Sequence, residues 1–125
     1  MKRIILDTNF LLAPGELGIN IPAELGRICD FQFQVCVLKG TVDELKKLSE
    51  GHSKESINAK IGYKIAKSLD VIKSDGHVDD ALVDEAKKDD SIIATQDQDL
   101  KRRLKKQKSP HIIIRGKRTL ELIVP

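Results

Sequence analysis

Short runs of branched aliphatic residues recur along this 125-residue chain, each followed by a stretch of helical periodicity, and that alternation leaves few folds open. Lys2–Leu6, Phe33–Leu38, Ser91–Thr95 and His111–Ile114 read as buried strands, with shorter apolar pieces at Val71–Ile72 and Leu120–Val124. Helical patterns cover Ile21–Ile28, Gly40–Ser49, Lys54–Leu69, a segment from Asp79 or Asp80 to Lys88, and Asp99–Gln107. Thr41 with Glu44 three residues later has the capping-box pattern. Ile57, Ile61, Ile65 and Leu69 recur every fourth residue and predict the core face of their helix. Residues 8–21 carry Pro14, Gly15 and Gly18 and read as a loop or a broken turn of helix. Strands alternating with helices predict a parallel sheet covered on both faces, in one α/β domain over residues 1–125.

With only four aromatic residues, the core must be mainly Ile, Leu, Val and Ala. Cys29 and Cys36 form neither a zinc pattern nor a redox pair, so buried thiols in a reducing cytoplasm are expected. Asp7 ends the first apolar run after three residues, too soon for a signal peptide, and no segment has the length of a membrane span. The overall charge is +3, yet residues 101–108 (KRRLKKQK) hold six cations and no acid, which leaves the remainder at −3. That imbalance points either to local contact with a polyanion or to a solvated helix face.

In open parallel sheets, ligands bind outside the carboxyl ends of the strands, where strand order reverses. Asp7 directly follows the first strand, Asp97 follows the strand Ser91–Thr95, and Glu44 lies early in the helix after the second strand. Asp80 stands at the start of the helix before the fourth. Two bare carboxylates ~4–5 Å apart repel by about 3–4 kcal/mol at an effective dielectric of 20. A fold that gathers such groups needs a cation or protons to neutralise them. Oxygen ligands without Cys or His favour a hard ion, Mg²⁺ or Mn²⁺, and metal-assisted phosphodiester hydrolysis. Each acid also has a plainer reading. Asp79 or Asp80 can be a helix N-cap, Glu44 the partner of Thr41, and Asp97 or Asp99 a cap of the basic helix, whereas Asp7 has little capping to do.

Four segments in order carry a resemblance to PIN-domain nucleases: Ile4-Ile5-Leu6-Asp7-Thr8-Asn9, Val42-Asp43-Glu44-Leu45, Val78-Asp79-Asp80-Ala81-Leu82, and Ile93-Ala94-Thr95-Gln96-Asp97-Gln98-Asp99-Leu100. The resemblance implies a three-layer α/β/α fold with a five-stranded parallel sheet and a Mg²⁺- or Mn²⁺-dependent endoribonuclease. Carried over by residue, Asp7, Glu44, Asp80 and Asp97 become catalytic metal ligands, with Asp79 and Asp99 as secondary candidates. Thr8, Asn9 and Thr95 become residues that orient those carboxylates by hydrogen bonds. Asp7–Leu12 and Asp97–Arg103 are more similar to the ribosomal RNA-processing branch and its short archaeal relatives than to VapC toxins, which implies ribosomal precursor RNA as substrate. A VapC-type toxin ribonuclease and a non-catalytic RNA-binding module of ribosome assembly stay open as alternatives. Homodimerisation, common in the family, is an implied assembly. Lys101, Arg102, Lys105, Lys106 and Lys108 are the expected contacts to the RNA backbone, with Arg115, Lys117 and Arg118 as a second basic turn.

Overall fold

A computed structural model describes all residues, 1–125. The chain runs β1 (Lys2–Leu6), α1 (Thr8–Leu17), α2 (Ile21–Ile28), β2 (Phe33–Leu38), α3 (Lys39–Leu48), α4 (Lys54–Ala66), β3 (Asp70–Ile72), α5 (Val78–Ala86), β4 (Ser91–Ala94), α6 (Gln98–Lys106), β5 (His111–Arg115) and β6 (Thr119–Ile123). The strands form one sheet in the order β3-β2-β1-β4-β5-β6. The first five are parallel, as expected. The sixth is an addition: β6 pairs antiparallel with β5, Ile114 opposite Leu120. Three residues, 116–118, join the two strands, with Gly116 at φ +66°. A parallel return needs a crossover of a dozen residues or more, so this short turn permits only a hairpin.

Side chains alternate across β1 and both sets are buried. Ile4 and Leu6 join Phe10, Leu11, Leu25, Leu45 and Ala66 on one face of the sheet. Ile5 joins Leu82, Val83, Leu100 and Leu104 on the other. A strand covered on both faces reads as a continuous apolar run, which is why Ile4-Ile5-Leu6 is legible as one. No helix is long and apolar enough to cross a membrane.

Two helical expectations need correction. Residues 8–17 are a regular helix in spite of Pro14, ended by Gly18 at φ +71°, whose N–H donates to the Pro14 carbonyl at 3.0 Å. Proline disfavours a helix interior, but Phe10, Leu11 and Ala13 bury here against the core, and tertiary packing overrides the local signal. The glycines are used for close approach. A Cβ on Gly15 would lie 2.6 Å from Asn58 Oδ1, and one on Gly62 would lie 2.5 Å from the Leu11 carbonyl oxygen. That proximity also sets which face of α4 turns inward. The face of α4 turned inward is Ser56, Ala59, Gly62 and Ala66, whereas Ile57 and Ile61 are 52% and 42% exposed. Only small side chains fit under α1, so Ile57 and Ile61 are turned out to the flank of the helix, while Ile65 and Leu69 pack partly buried against the core.

Candidate active site at the sheet switch point

β1 is the strand from which the order runs outward in both directions, so the reversal lies between β1 and β4. Their carboxyl ends carry Asp7 and the segment 95–97. The Asp7 N–H donates to the Ala94 carbonyl at 2.9 Å, continuing the ladder one residue past Leu6. Asp7 is 4% exposed and both its oxygens are engaged: Oδ1 accepts the Thr8 N–H at 2.7 Å, and Oδ2 accepts the Thr95 hydroxyl at 2.8 Å. Asp7 therefore does cap α1, contrary to the expectation that it has little capping to do. Thr95 Oγ1 in turn accepts the Asp97 N–H at 3.1 Å. Asp97 caps α6, its Oδ1 accepting the Leu100 N–H at 2.8 Å.

Thr95 orients a carboxylate as expected, and Thr8 does so through its backbone N–H rather than its hydroxyl, which is buried without a partner. Asn9 serves the frame instead, its Oδ1 accepting the Gln96 N–H at 3.1 Å. The Gln96 side chain then reaches β5 and accepts the Ile114 N–H at 2.6 Å. The loop carrying Asp97 is thus tied to both neighbouring segments.

Burial pushes the Asp7 carboxyl up to about 6, and the charges of Asp79 and Glu44 add to that, against the lowering hydrogen bonds from Thr95 and Thr8. Asp79 is also raised, by burial first and then by Asp97, Glu44 and Asp80, while Arg103 opposes. Asp7 feels the charges of Asp79 and Glu44, and Asp79 those of Asp97, Glu44 and Asp80, so these acids lie near one another at this sheet edge, with Asp7, Glu44, Asp79 and Asp97 as the unpaired ones. None of the four forms an ion pair.

Asp80, the expected ligand, points elsewhere. Its Oδ1 pairs with Arg103 at 2.9 Å, and it lines a shallow hollow with Lys73, Asp75, His77 and Asp84. The reason is helical phase: α5 begins at Val78, so adjacent Asp79 and Asp80 lie ~100° apart around the axis, and only one can face the sheet edge. The Asp-Asp doublet was visible in the sequence, and the phase was not. Asp99 is likewise removed, paired with Arg102 at 2.7 Å on the exposed side of α6. Neither Asp79 nor Asp80 is an N-cap, since that position is His77 without a side-chain cap bond. Thr41 does not cap α3 either; it is fully buried two residues inside a helix that starts at Lys39, which leaves Glu44 free of the capping role.

No three His, Cys, Asp or Glu groups lie close enough to ligate one ion directly. The chemistry of the donors still suits a hard cation. They are all oxygen, their charges push up Asp7 and Asp79, and none of them is held in a salt bridge with Lys or Arg. Mg²⁺ keeps several of its waters when bound by few carboxylates, and a hydrated ion can span groups that do not converge to ligand distance.

The basic segment follows directly. Lys101 is half-buried and close enough to Lys105, Arg115 and Asp97 to feel their charges. Arg102 and Arg103 are engaged by Asp99 and Asp80. Lys105 and Lys106 are exposed, and exposed Lys108 follows the Gln107 C-cap of α6 with φ +58°.

Residues 4–117 match the family model described as "PIN like domain", and the chain belongs to that family. It is 29% identical over 127 residues to ribonuclease VapC4 of Methanocaldococcus jannaschii, covering 98% of this chain and 97% of that one. It is 28% identical over 112 residues to ribonuclease VapC9 of Archaeoglobus fulgidus, covering 88% and 81% respectively. Its fold superimposes on the structure of the PIN domain endonuclease Utp24 with a TM-score of 0.78 at 23% identity, covering 98% of this chain and 92% of that one.

Proposed function

We propose that this PIN-like protein is a divalent-metal-dependent endoribonuclease that hydrolyses structured RNA, with ribosomal precursor RNA as its substrate. The observation that carries the reading is the joining of Asp7 to Asp97 through Thr95 at the sheet switch point, with Glu44 and Asp79 adding their charge to the same spot. The relatives named as ribonucleases support the chemistry. The likeness of Asp97–Arg103 to the ribosomal RNA-processing branch supports the substrate.

Asp7, Glu44, Asp79 and Asp97 are the residues that would hold Mg²⁺ or Mn²⁺. Such an ion, when bound, supplies a lowered pKa for water and positive charge for the phosphoryl oxygens. Thr95 and the Thr8 N–H keep the Asp7 carboxylate fixed in orientation, which preorganises the site. The α6 cations offset the repulsion between the acidic pocket and a polyanionic strand, and contacts of that kind position a backbone without reading its sequence. We place the enzyme in the cytoplasm, where its two free thiols, Cys29 and Cys36, stay reduced.

The test is cleavage of an end-labelled structured RNA in Mn²⁺, with EDTA and Asp7→Asn controls. Cleavage lost in both controls is the expected result. Binding without cleavage would overturn the nuclease reading in favour of an RNA-binding module. The VapC-type alternative is favoured by the two relatives of that name, which match most of the chain. Cleavage of ribosomal precursor fragments compared with unrelated structured RNAs separates the two readings.

A further inference from the structure

Most helical ion pairs of this chain, such as Arg102–Asp99 at 2.7 Å, lie three or four residues apart on one helix. Arg103–Asp80 at 2.9 Å alone joins two helices, α6 and α5. Those helices begin at the sheet edge, one with Asp97 as its N-cap and the other with Asp79 in its first turn. The contact therefore sets the guanidinium at the border between two segments that carry pocket acids, on the residue next to Asp79. Its charge opposes the rise of the Asp79 carboxyl, as that of a near neighbour must.

The pair uses little of the guanidinium. Only Nη2 is bonded, to Asp80 Oδ1, whereas Nε and Nη1 make no hydrogen bond within the protein, and the side chain is 46% exposed. Arg103 is not needed as a strut either. The Gln107 side chain donates to the Val83 carbonyl at 3.1 Å and ties the end of α6 to α5, and Leu104 is fully buried beneath the helix. An exposed ion pair adds little to stability. A planar fork with free donors, tethered beside an acidic pocket, matches the oxygens of a phosphodiester, whereas a lysine offers only a mobile point charge.

We propose that Arg103 binds a backbone phosphate of the RNA at the mouth of the acidic pocket, through the donors that Asp80 leaves free; this rests on the nuclease reading above. Nothing in the run of six cations from Lys101 to Lys108 singles out Arg103, and the bond to a second helix does. Recognition is of the phosphodiester group and not of a base, so RNAs of any sequence gain from it alike. The contact offsets the repulsion that the pocket carboxylates exert on a polyanion. It forms equally with the bound substrate and the transition state, so its loss appears in affinity rather than in the rate at saturation.

Arg103→Met keeps an unbranched stem and removes the fork. Its affinity for a fluorescent structured RNA in EDTA, read by anisotropy over a salt series, should fall by about tenfold. The slope of log Kd against log salt should flatten by about 0.7–0.9, the share of one phosphate contact. Two structured RNAs of unrelated sequence should lose affinity equally. Arg103→Lys should regain the slope but only part of the affinity, because an ammonium cannot replace the fork. Lys64→Met, on the exposed side of α4, should match the wild type. Thermal unfolding of Arg103→Met should stay close to the wild type. Wild-type affinity and slope in Arg103→Met would overturn the inference, and so would a lowered melting temperature with an unchanged slope, which would make the residue a strut. A wild-type protein that binds RNA without cutting it in Mn²⁺ would overturn the nuclease reading alone, and one that binds no RNA would overturn both.

Discussion

The Thr95 hydroxyl donates to Asp7 Oδ2, 88 residues away, at 2.8 Å while accepting the Asp97 N–H at 3.1 Å, so one side chain joins two carboxylate-bearing segments. Thr95 is fully buried, and water cannot replace it. Thr95→Val should destabilise the protein by about 1–3 kcal/mol, because a buried acceptor and a backbone donor lose their partner together. Thr95→Ser should restore most of that loss. Thermal unfolding of the three proteins checks the ordering, and equal melting temperatures for Val and Thr would remove the bridge from the argument for the site.

The Asp7 carboxyl, raised from 3.8 to about 6, makes stability depend on pH with a definite sign. Between those values the folded chain keeps a proton that the unfolded chain has released. Stability therefore falls as pH rises through the window, and the full cost, about 3 kcal/mol, is present above it. Without metal, Asp7→Asn should raise the denaturant midpoint at pH 7.5 and lose that advantage by pH 4. Added Mn²⁺ should stabilise the wild type more than the variant, since an ion that binds the folded state shifts the equilibrium by mass action.

Asp79 and Asp80 are neighbours in the chain with opposite assignments. Asp79→Asn should lower cleavage by about 10–100-fold or more, as expected when a group holding the ion is lost. Asp80→Asn removes an exposed pair with Arg103, and stability should move by no more than about 1 kcal/mol, with cleavage near wild type. The reverse pattern in a cleavage assay would return Asp80 to the site.

The α1–α4 contact separates a pattern-based core from a packed one. Gly62→Ala places a methyl group against the Leu11 carbonyl and should cost about 1–3 kcal/mol. Ile61→Ser, at the conspicuous apolar repeat, should cost less, because 42% of that residue is already in water. Urea midpoints for the two variants decide between them; a larger loss for Ile61→Ser would place Ile61 in the core beside Ile65 and Leu69.

Much of the architecture was legible because local chemistry and global packing agree. Ile4-Ile5-Leu6 followed by Asp7 specifies a doubly covered strand and an acid at its carboxyl end, and alternation with helices specifies parallel pairing. The ordered acids at positions 7, 44, 79–80 and 97 were legible in the same way, and the fold sets Asp7 and Asp97 beside each other through Thr95. Local pattern failed where a neighbour set the outcome. Pro14 and Gly15 read as helix breakers, yet α1 survives because its apolar residues bury and its glycine admits Asn58. Thr41 had the residue type for a cap, but the helix starts earlier, directly from β2.

The antiparallel β6 and the choice between two adjacent aspartates share one cause. Which way a strand returns depends on the three residues available to turn it. Which carboxylate enters the pocket depends on the rotation of α5 about its axis, and packing of Leu82, Val83 and Ala86 against the sheet sets that rotation. Residue types supplied the acids, the cations and the aliphatic strands. Their pairing, with Asp7 bound to Thr95 and Asp80 withdrawn to Arg103, follows from distances that exist only once both faces of the sheet are covered.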